Sequence, residues 1–140
     1  MKFYDCTTAP SPRRVRIFLA EKGITVPTIQ VDLRNGEQFS PAFREINPEC
    51  TVPVLELDNG TRIADIVAIC RYFEEIYRNP PLMGRTAEEK AMIEAWQRRL
   101  EWDGFYTVDF CGWTKLTAPE HLTHLRRWHS AVSARPSAKA

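Results

Sequence analysis

The start of the chain carries the feature that most constrains the fold: a strand pattern, a helix pattern and a second strand pattern in direct succession. "KFYD" (2–5) and "TIQVD" (28–32) alternate in polarity as strands do. Between them, "RRVRIFLAEKG" places Val15, Phe18 and Leu19 at helical spacing. A strand, a helix and a strand joined this closely imply parallel strands with a right-handed crossover. The sequence therefore predicts an α/β domain.

The helix in this unit has recognisable ends. Ser11 is a natural N-cap residue, and Pro12 stands where the first helical residue belongs. Gly23 suits the C′ position, where the backbone turns left-handed. We therefore expect a helix that begins at Pro12 and ends before Gly23.

A hairpin and another helix follow. "VPVLEL" and "TRIAD" flank Asp58-Asn59-Gly60, and Asn-Gly between strand-like runs predicts a β-hairpin. A short helix is expected near Pro41–Ile46, and "DIVAICRYFEEIY" has an apolar helical face. The members of that face are Ile66, Ile69, Cys70, Phe73, Ile76 and Tyr77. The expected architecture is a mixed four-stranded sheet with helices on its faces.

The second half of the chain is helical in pattern. Thr86-x-x-Glu89 is a capping box, and Met92, Trp96 and Leu100 continue from it as an apolar stripe. "APEHLTHLRRWHSAVSA" is a second amphipathic pattern. The two prolines of "RNPPLMG" mark a linker between the halves.

These boundaries divide the chain into three parts. We predict an α/β domain over residues 1–79, a linker over residues 80–85 and a helical domain over residues 86–140.

Composition narrows the function classes. With 19 basic and 18 acidic residues the net charge is +1, which gives no electrostatic case for a nucleic-acid partner or an anionic membrane. No apolar run reaches the roughly 18 residues that a membrane span needs. The cysteines, which are Cys6, Cys50, Cys70 and Cys111, are widely spaced without a CxxC motif. That spacing predicts reduced thiols in a cytoplasmic protein.

Three histidines, His121, His124 and His129, share one C-terminal segment. A structural or catalytic zinc site needs three or four converging ligands, and neither Glu120 nor a cysteine completes the set. We expect no metal here.

Two helix starts are candidates for chemistry. Ser11 could donate its hydroxyl to an anion or a thiolate at the positive end of its helix, although a plain cap is the commoner role. Asp65 could bind an ammonium group while the N–H groups of Ile66 and Val67 bind a carboxylate, and it too could simply be a cap. Pro53 sits between two valines at the start of a strand, where it cannot donate to a sheet ladder.

Two long stretches resemble a known family. "TTAPSPRRVRIFLAEKGI" and "INPECTVPVLELDNGTRIADIVAICRYFEE" resemble the N-terminal half of a soluble glutathione transferase of bacterial type, over about residues 1–80. The resemblance implies a thioredoxin-like fold, which agrees with the strand and helix order. It also implies glutathione as co-substrate, a small electrophile as substrate, a homodimer and a cytoplasmic location.

The resemblance also implies roles for individual residues. Pro53 matches the cis-proline of the family, and Val52 offers its backbone to the cysteinyl part of glutathione. Asp65 and Ile66 match the pair that holds the γ-glutamyl end, with Ile66 in place of the usual serine, so binding is expected to be weakened. Ser11 lies where the family places a group near the thiol. The last implied role is that of Gln38, at the glycyl end.

The C-terminal half departs from the family. Its two helical patterns, 86–108 and 119–134, resemble the first and last parts of the family's helical domain, and the helices expected between them are missing. We expect an internally shortened transferase whose apolar helix faces a partner chain could cover. Two alternatives stay open: a non-catalytic dimerisation or binding module, and a glutaredoxin-type thiol oxidoreductase, against which the missing CxxC argues.

Overall fold

A computed structural model describes residues 1–101 and 123–139 of the chain. The chain forms two compact units, Met1–Pro80 and Pro81–Lys139, which we describe separately. The two helical patterns predicted over 86–108 and 119–134 fall only partly within the described residues, because residues 102–122 lie outside them.

The first unit is built on a mixed four-stranded sheet. Its strands are β1 (Lys2–Asp5), β2 (Thr28–Gln30), β3 (Val54–Glu56) and β4 (Arg62–Ile63). They lie in the order β2-β1-β3-β4. β1 pairs with β2 in parallel, and it pairs with β3 in antiparallel fashion. The predicted sheet is confirmed, with β2 two residues shorter than the pattern "TIQVD" indicated.

The hairpin β3-β4 follows the predicted turn. β3 and β4 pair antiparallel, with Leu55 opposite Ile63. The Gly60 N–H donates to the carbonyl of Leu57 at 2.9 Å, and Gly60 adopts φ +83°. Glycine tolerates this left-handed conformation without steric strain, which explains the Asn-Gly pair at the turn.

Three helices accompany the sheet, namely α1 (Pro10–Lys22), α2 (Pro41–Ile46) and α3 (Ile66–Ile76), with a short 3₁₀ helix at Glu37–Phe39. α2 has the predicted bounds. Ser40 caps it by accepting a hydrogen bond from the N–H of Phe43. α1 ends as predicted, because Gly23 has φ +65° and its N–H reaches the carbonyls of the last turn.

Successive strand residues point to opposite faces, so the sheet has two buried sides. Tyr4 and Val54 pack in one cluster with Phe43 of α2. Phe3 and Leu55 are equally buried on the other side. That side also carries α1, because Asp5, two residues after Phe3, bonds to Arg16 of α1.

α3 corrects one sequence expectation. Ile69, Cys70 and Phe73 of the predicted apolar face are buried as expected. Ile76 and Tyr77 are not, because they are 48% and 50% exposed at the end of the helix. Glu74 is buried instead, and it forms an ion pair with a buried lysine.

The described elements of the second unit are all helical. α4 (Ala87–Arg99), α5 (Thr123–Ser133) and a 3₁₀ turn at Pro136–Lys139 make up this part. The predicted capping box at the start of α4 is present, with Thr86 and Glu89 bonded reciprocally. Within the described ranges, no helix is long and apolar enough to span a membrane.

Candidate functional site

The site begins where the chain enters β3. The Val52–Pro53 peptide bond is cis, as the family resemblance implied. Pairing with β1 starts one residue later, at Val54 opposite Tyr4. Among the described residues, no protein hydrogen bond uses the backbone N–H or carbonyl of Val52. Val52 therefore offers an open donor and acceptor beside the sheet.

The side chain of Val52 links this segment to the start of α1. Val52 is 8% exposed, and it belongs to the same apolar cluster as Cys6. Ala9, directly before α1, packs against that cluster. The segment that carries the open backbone groups thus lies beside the β1-α1 connection.

The side chain of Asn47 holds the chain directly before Val52. Its buried side-chain amide donates to the carbonyl of Thr51 at 2.9 Å and to the Thr51 hydroxyl at 3.0 Å. The N–H of Cys50 donates to the carbonyl of Asn47 at 2.9 Å. Because Thr51 directly precedes Val52, Asn47 fixes the direction in which the chain approaches the cis bond.

The start of α1 corrects the prediction for Ser11. The N-cap residue is Ala9, which has no capping side chain, and Ser11 is the second helical residue. The reason is that Pro10 suits the first helical position as well as Pro12 does. Pro10 and Pro12 have no N–H, so the first turn offers the amide of Ser11 alone. The Ser11 hydroxyl has no hydrogen-bond partner among the described residues.

Asp65 caps α3, as the sequence predicted. One carboxylate oxygen accepts the N–H of Ala68 at 2.8 Å. The second oxygen accepts no hydrogen bond from a described residue. Ile66 and Val67 occupy the first two helical positions, whose N–H groups have no carbonyl partner within a helix. An exposed carboxylate and two open amides therefore stand together.

Gln38 lies in the 3₁₀ helix between β2 and α2. Its Oε1 atom is buried and has no hydrogen-bond partner in the described part of the chain. This 3₁₀ helix packs against α2, whose Phe43 shares the apolar cluster with Val52. This packing connects Gln38 to the apolar cluster that contains Val52.

The cysteines differ in accessibility. Burial raises the pKa of Cys70 to about 12, with nearby Arg14 opposing the shift and Asp65 adding to it, so this thiol stays protonated. Cys6 is also buried, and its Sγ lies 3.5 Å from the Thr8 hydroxyl. Cys50 is partly exposed and has φ +56°. Cys111 lies outside the described residues.

A polar ring that sequence reasoning missed surrounds the β1-α1 connection. Arg16 donates to Asp5 at 2.7 Å and to the carbonyl of Thr7 at 3.1 Å. Gln30 donates to the second oxygen of Asp5 at 2.9 Å, and it accepts both the N–H and the hydroxyl of Thr7. The only available signal was an acidic residue ending an otherwise buried strand.

A second missed feature lies at the far end of α1. The ammonium group of Lys22 is fully buried and pairs with Glu74 at 2.7 Å. It also donates to the carbonyls of Tyr77 and Pro80, at 2.6 and 2.8 Å. Lys22 thus ties the end of α3 and the following chain to α1.

Metal ligands are not clustered in the described part of the chain, where no group of three His, Cys, Asp or Glu residues converges. Of the three histidines, His121 lies outside the described residues. His124 and His129 are in α5, and only their backbone is described.

Comparison with known proteins shows which family has this architecture. The family model "Glutathione S-transferase, N-terminal domain" matches residues 8–76. Glutathione S-transferase 2 of Saccharomyces cerevisiae is 43% identical over 103 residues, which cover 72% of this chain and 44% of the yeast protein. The chain therefore spans less than half the length of this curated relative.

Two solved structures match over nearly the whole chain. Gtt2 from Saccharomyces cerevisiae superposes with a TM-score of 0.89 at 28% identity, covering 99% of each chain. A glutathione S-transferase domain-containing protein from Marinobacter aquaeolei superposes with a TM-score of 0.83 at 30% identity, covering 98% of this chain and 99% of the other. The predicted thioredoxin-like fold of the first unit is confirmed, and the chain belongs to the glutathione S-transferase family.

Proposed function

We propose that the chain binds glutathione and favours its thiolate for attack on a small electrophile or a disulfide. The observation that carries the proposal is the open backbone of Val52, held beside the start of α1 by shared packing with Cys6 and Ala9. An extended peptide can add to such an edge as a further strand. Glutathione has the peptide groups for this pairing in its cysteinyl part.

The two ends of glutathione find partners of suitable chemistry. The free oxygen of Asp65 would take the ammonium group, and the amides of Ile66 and Val67 would take the γ-glutamyl carboxylate. Gln38 would reach the glycyl end, where its buried Oε1, which has no partner among the described residues, would accept the glycyl N–H. The cap on Ala68 leaves one oxygen of Asp65 for this purpose, so capping and binding are compatible.

Thiol activation would rest on Ser11. Its hydroxyl and N–H stand in the first turn of α1, where the helix dipole favours a negative charge. Because the flanking prolines remove two amides, the Ser11 hydroxyl has a larger share in this role than it would at an ordinary helix start. Ser11 is thus the proposed catalytic residue.

Ile66 sets the expected affinity. Its side chain cannot donate the hydrogen bond that a serine hydroxyl would give to the ligand carboxylate. A hydrogen bond to a charged group contributes about 1.5–3 kcal/mol, so this chain should bind glutathione weakly. The backbone N–H of residue 66 is retained, so binding is not abolished.

The second candidate function is a non-catalytic binding or dimerisation module. It is favoured by the exposed apolar residues Met92 and Trp96 of α4 and Leu100 at its end. The homodimer, the cytoplasmic location and the internal loss of helices stay predictions under either function.

Thermal denaturation with increasing glutathione separates the two functions. A working site predicts a midpoint that rises with the logarithm of the glutathione concentration. Cysteinylglycine, which lacks the γ-glutamyl group, is the matched control and should give a much smaller shift. No shift at a glutathione concentration on the order of 10 mM would favour the module. If glutathione binds, Ser11→Ala should lower turnover with an aryl halide more than it lowers binding.

A further inference from the structure

The polar ring of Asp5, Thr7, Arg16 and Gln30 joins four parts of the fold. Asp5 ends β1, Thr7 lies in the β1-α1 connection, Arg16 is on α1 and Gln30 ends β2. The hydrogen bonds close a circuit, because Arg16 and Gln30 each bond to both Asp5 and Thr7. A closed circuit of this kind resists displacement of any one member.

Thr7 is the member that the ring restrains most completely. Its N–H donates to Gln30 at 2.9 Å, its hydroxyl donates to the same oxygen at 2.8 Å, and its carbonyl accepts from Arg16 at 3.1 Å. Thr7 is nevertheless exposed, so without the ring water molecules could take the place of all three hydrogen-bond partners. The ring therefore fixes the position of an exposed loop residue rather than filling the core.

Asp5 anchors the ring in the protein. Its side chain is 2% exposed, and each carboxylate oxygen receives a donor, Arg16 on one and Gln30 on the other. A buried carboxylate needs such donors to offset its lost hydration. Of these two donors, Gln30 can be removed while Asp5 keeps its charged partner.

We infer that Gln30 is a positioning residue for thiol activation, acting through Thr7. The chain runs from Thr7 to Ala9 and then enters α1, so the hold on Thr7 sets where Ser11 stands relative to Val52. This inference rests on the proposed function. In the proposed arrangement Gln30 does not contact glutathione; it holds the loop that leads to the activating group.

The test compares Gln30→Met with Thr28→Val. Methionine keeps the length of the side chain but removes the hydrogen bonds of Gln30 to Asp5 and to Thr7. The ion pair between Arg16 and Asp5 is kept. Thr28→Val is the matched control. Thr28 lies on the same strand as Gln30, and its hydroxyl donates to the carbonyl of Val26 at 3.0 Å, outside the ring. Two readouts are taken: steady-state kinetics across pH, and amide hydrogen exchange at residues 7–9.

For Gln30→Met we expect kcat to fall about tenfold while the KM for glutathione changes by less than about twofold. The pKa seen in the kcat/KM profile for the electrophile, measured at saturating glutathione, should rise towards the free-thiol value of about 8.5, because the activating group is less well placed. Exchange at residues 7–9 should quicken about tenfold. Thr28→Val should change none of these.

A second pair of variants covers the case in which Gln30→Met folds poorly. Thr7→Val loses the hydroxyl bond to Gln30, whereas Thr7→Ser keeps it. We expect Thr7→Val to lower kcat and Thr7→Ser to keep kcat near the wild-type value.

Unchanged kcat, pH profile and loop exchange in Gln30→Met would overturn the inference, as would equal kcat in the two Thr7 variants. A wild-type chain without glutathione turnover would refute the proposed function alone. The exchange experiment would then still decide whether Gln30 holds the loop, since it needs no ligand.

Discussion

The buried core of the first unit and the apolar stripe of α4 in the second differ sharply in exposure. In the first unit Phe3, Leu55 and Phe73 are at most 1% exposed. In the second unit, Met92 and Trp96 of α4 and Leu100 directly after it are between 44% and 56% exposed. Both units carry apolar stripes at the spacing of their elements, so the stripe alone does not decide burial. What decides it is whether another element covers the stripe.

The largest expected difference between the units comes from truncating one aromatic side chain in each. Phe73→Ala should lower the free energy of unfolding of the first unit by about 3–5 kcal/mol, because it empties a buried site. Trp96→Ala, at 54% exposure, should change the stability of the second unit by less than about 1 kcal/mol.

Chemical denaturation can follow the units separately. All four tryptophans, which are Trp96, Trp102, Trp113 and Trp128, lie beyond residue 81, so their fluorescence reports on the second unit. In Trp96→Ala three tryptophans remain for this purpose, and hydrogen exchange of β1 amides reports on the first unit. Equal losses of unfolding free energy from Phe73→Ala and Trp96→Ala would contradict the expected difference between the buried and the exposed site.

The next largest effect is expected at Lys22, the buried cation of the first unit. Lys22→Met should destabilise the first unit by about 3 kcal/mol, because it removes the buried ammonium group that pairs with the buried carboxylate of Glu74. The double variant Lys22→Met/Glu74→Leu should recover most of this loss. A single variant as stable as the wild type in urea denaturation would contradict the role given to the pair.

The N-caps allow a matched comparison of the two units. Asp65→Ala and Thr86→Ala each remove a side chain that accepts a helix N–H, so each should destabilise its unit by about 1 kcal/mol. Asp65→Ala alone should reduce the glutathione-dependent rise in melting temperature. A similar reduction in Thr86→Ala would show that helix stability, rather than a ligand contact, governs the ligand response.

The smallest effect concerns Cys70. Burial raises the pKa of its thiol to about 12. Its thiol should resist alkylation at about pH 8, while the partly exposed Cys50 reacts, and peptide mapping by mass spectrometry reads both. The raised pKa also means that the unfolded chain loses this proton first. Stability from Cys70 is therefore complete below the unfolded pKa of about 9 and declines as pH rises towards 12. Rapid labelling of Cys70 in the folded protein would contradict this burial.

Local signals explain how much of the fold the sequence predicted. The strands, the Asn-Gly hairpin, the Asp65 cap and the capping box of α4 each depend on a few neighbouring residues, and all of them are present. Ser11 was misplaced because Pro10 and Pro12 are equally good first helical residues. At Ile76 and Tyr77 the helical period continues, but no element of the first unit buries them.

Long-range contacts explain what the sequence left out. The Lys22–Glu74 pair joins residues that are far apart in the chain, and so does the ring that links Asp5 to Gln30. Such pairs follow from how α1 packs against α3 and from how β1 lies beside β2, and neither gives a local pattern. The residue types of the candidate site could be predicted, whereas the side chains that hold them in place could not.

The most direct test of the account is a glutathione titration followed by backbone amide NMR. The amides of Val52 and Ile66 should shift in a saturable manner, because both are proposed to bond to the ligand, and amides of α5 such as that of Val132 should not. If neither the Val52 nor the Ile66 amide resonance shifts at glutathione concentrations on the order of 10 mM, the chain does not bind glutathione at the proposed site.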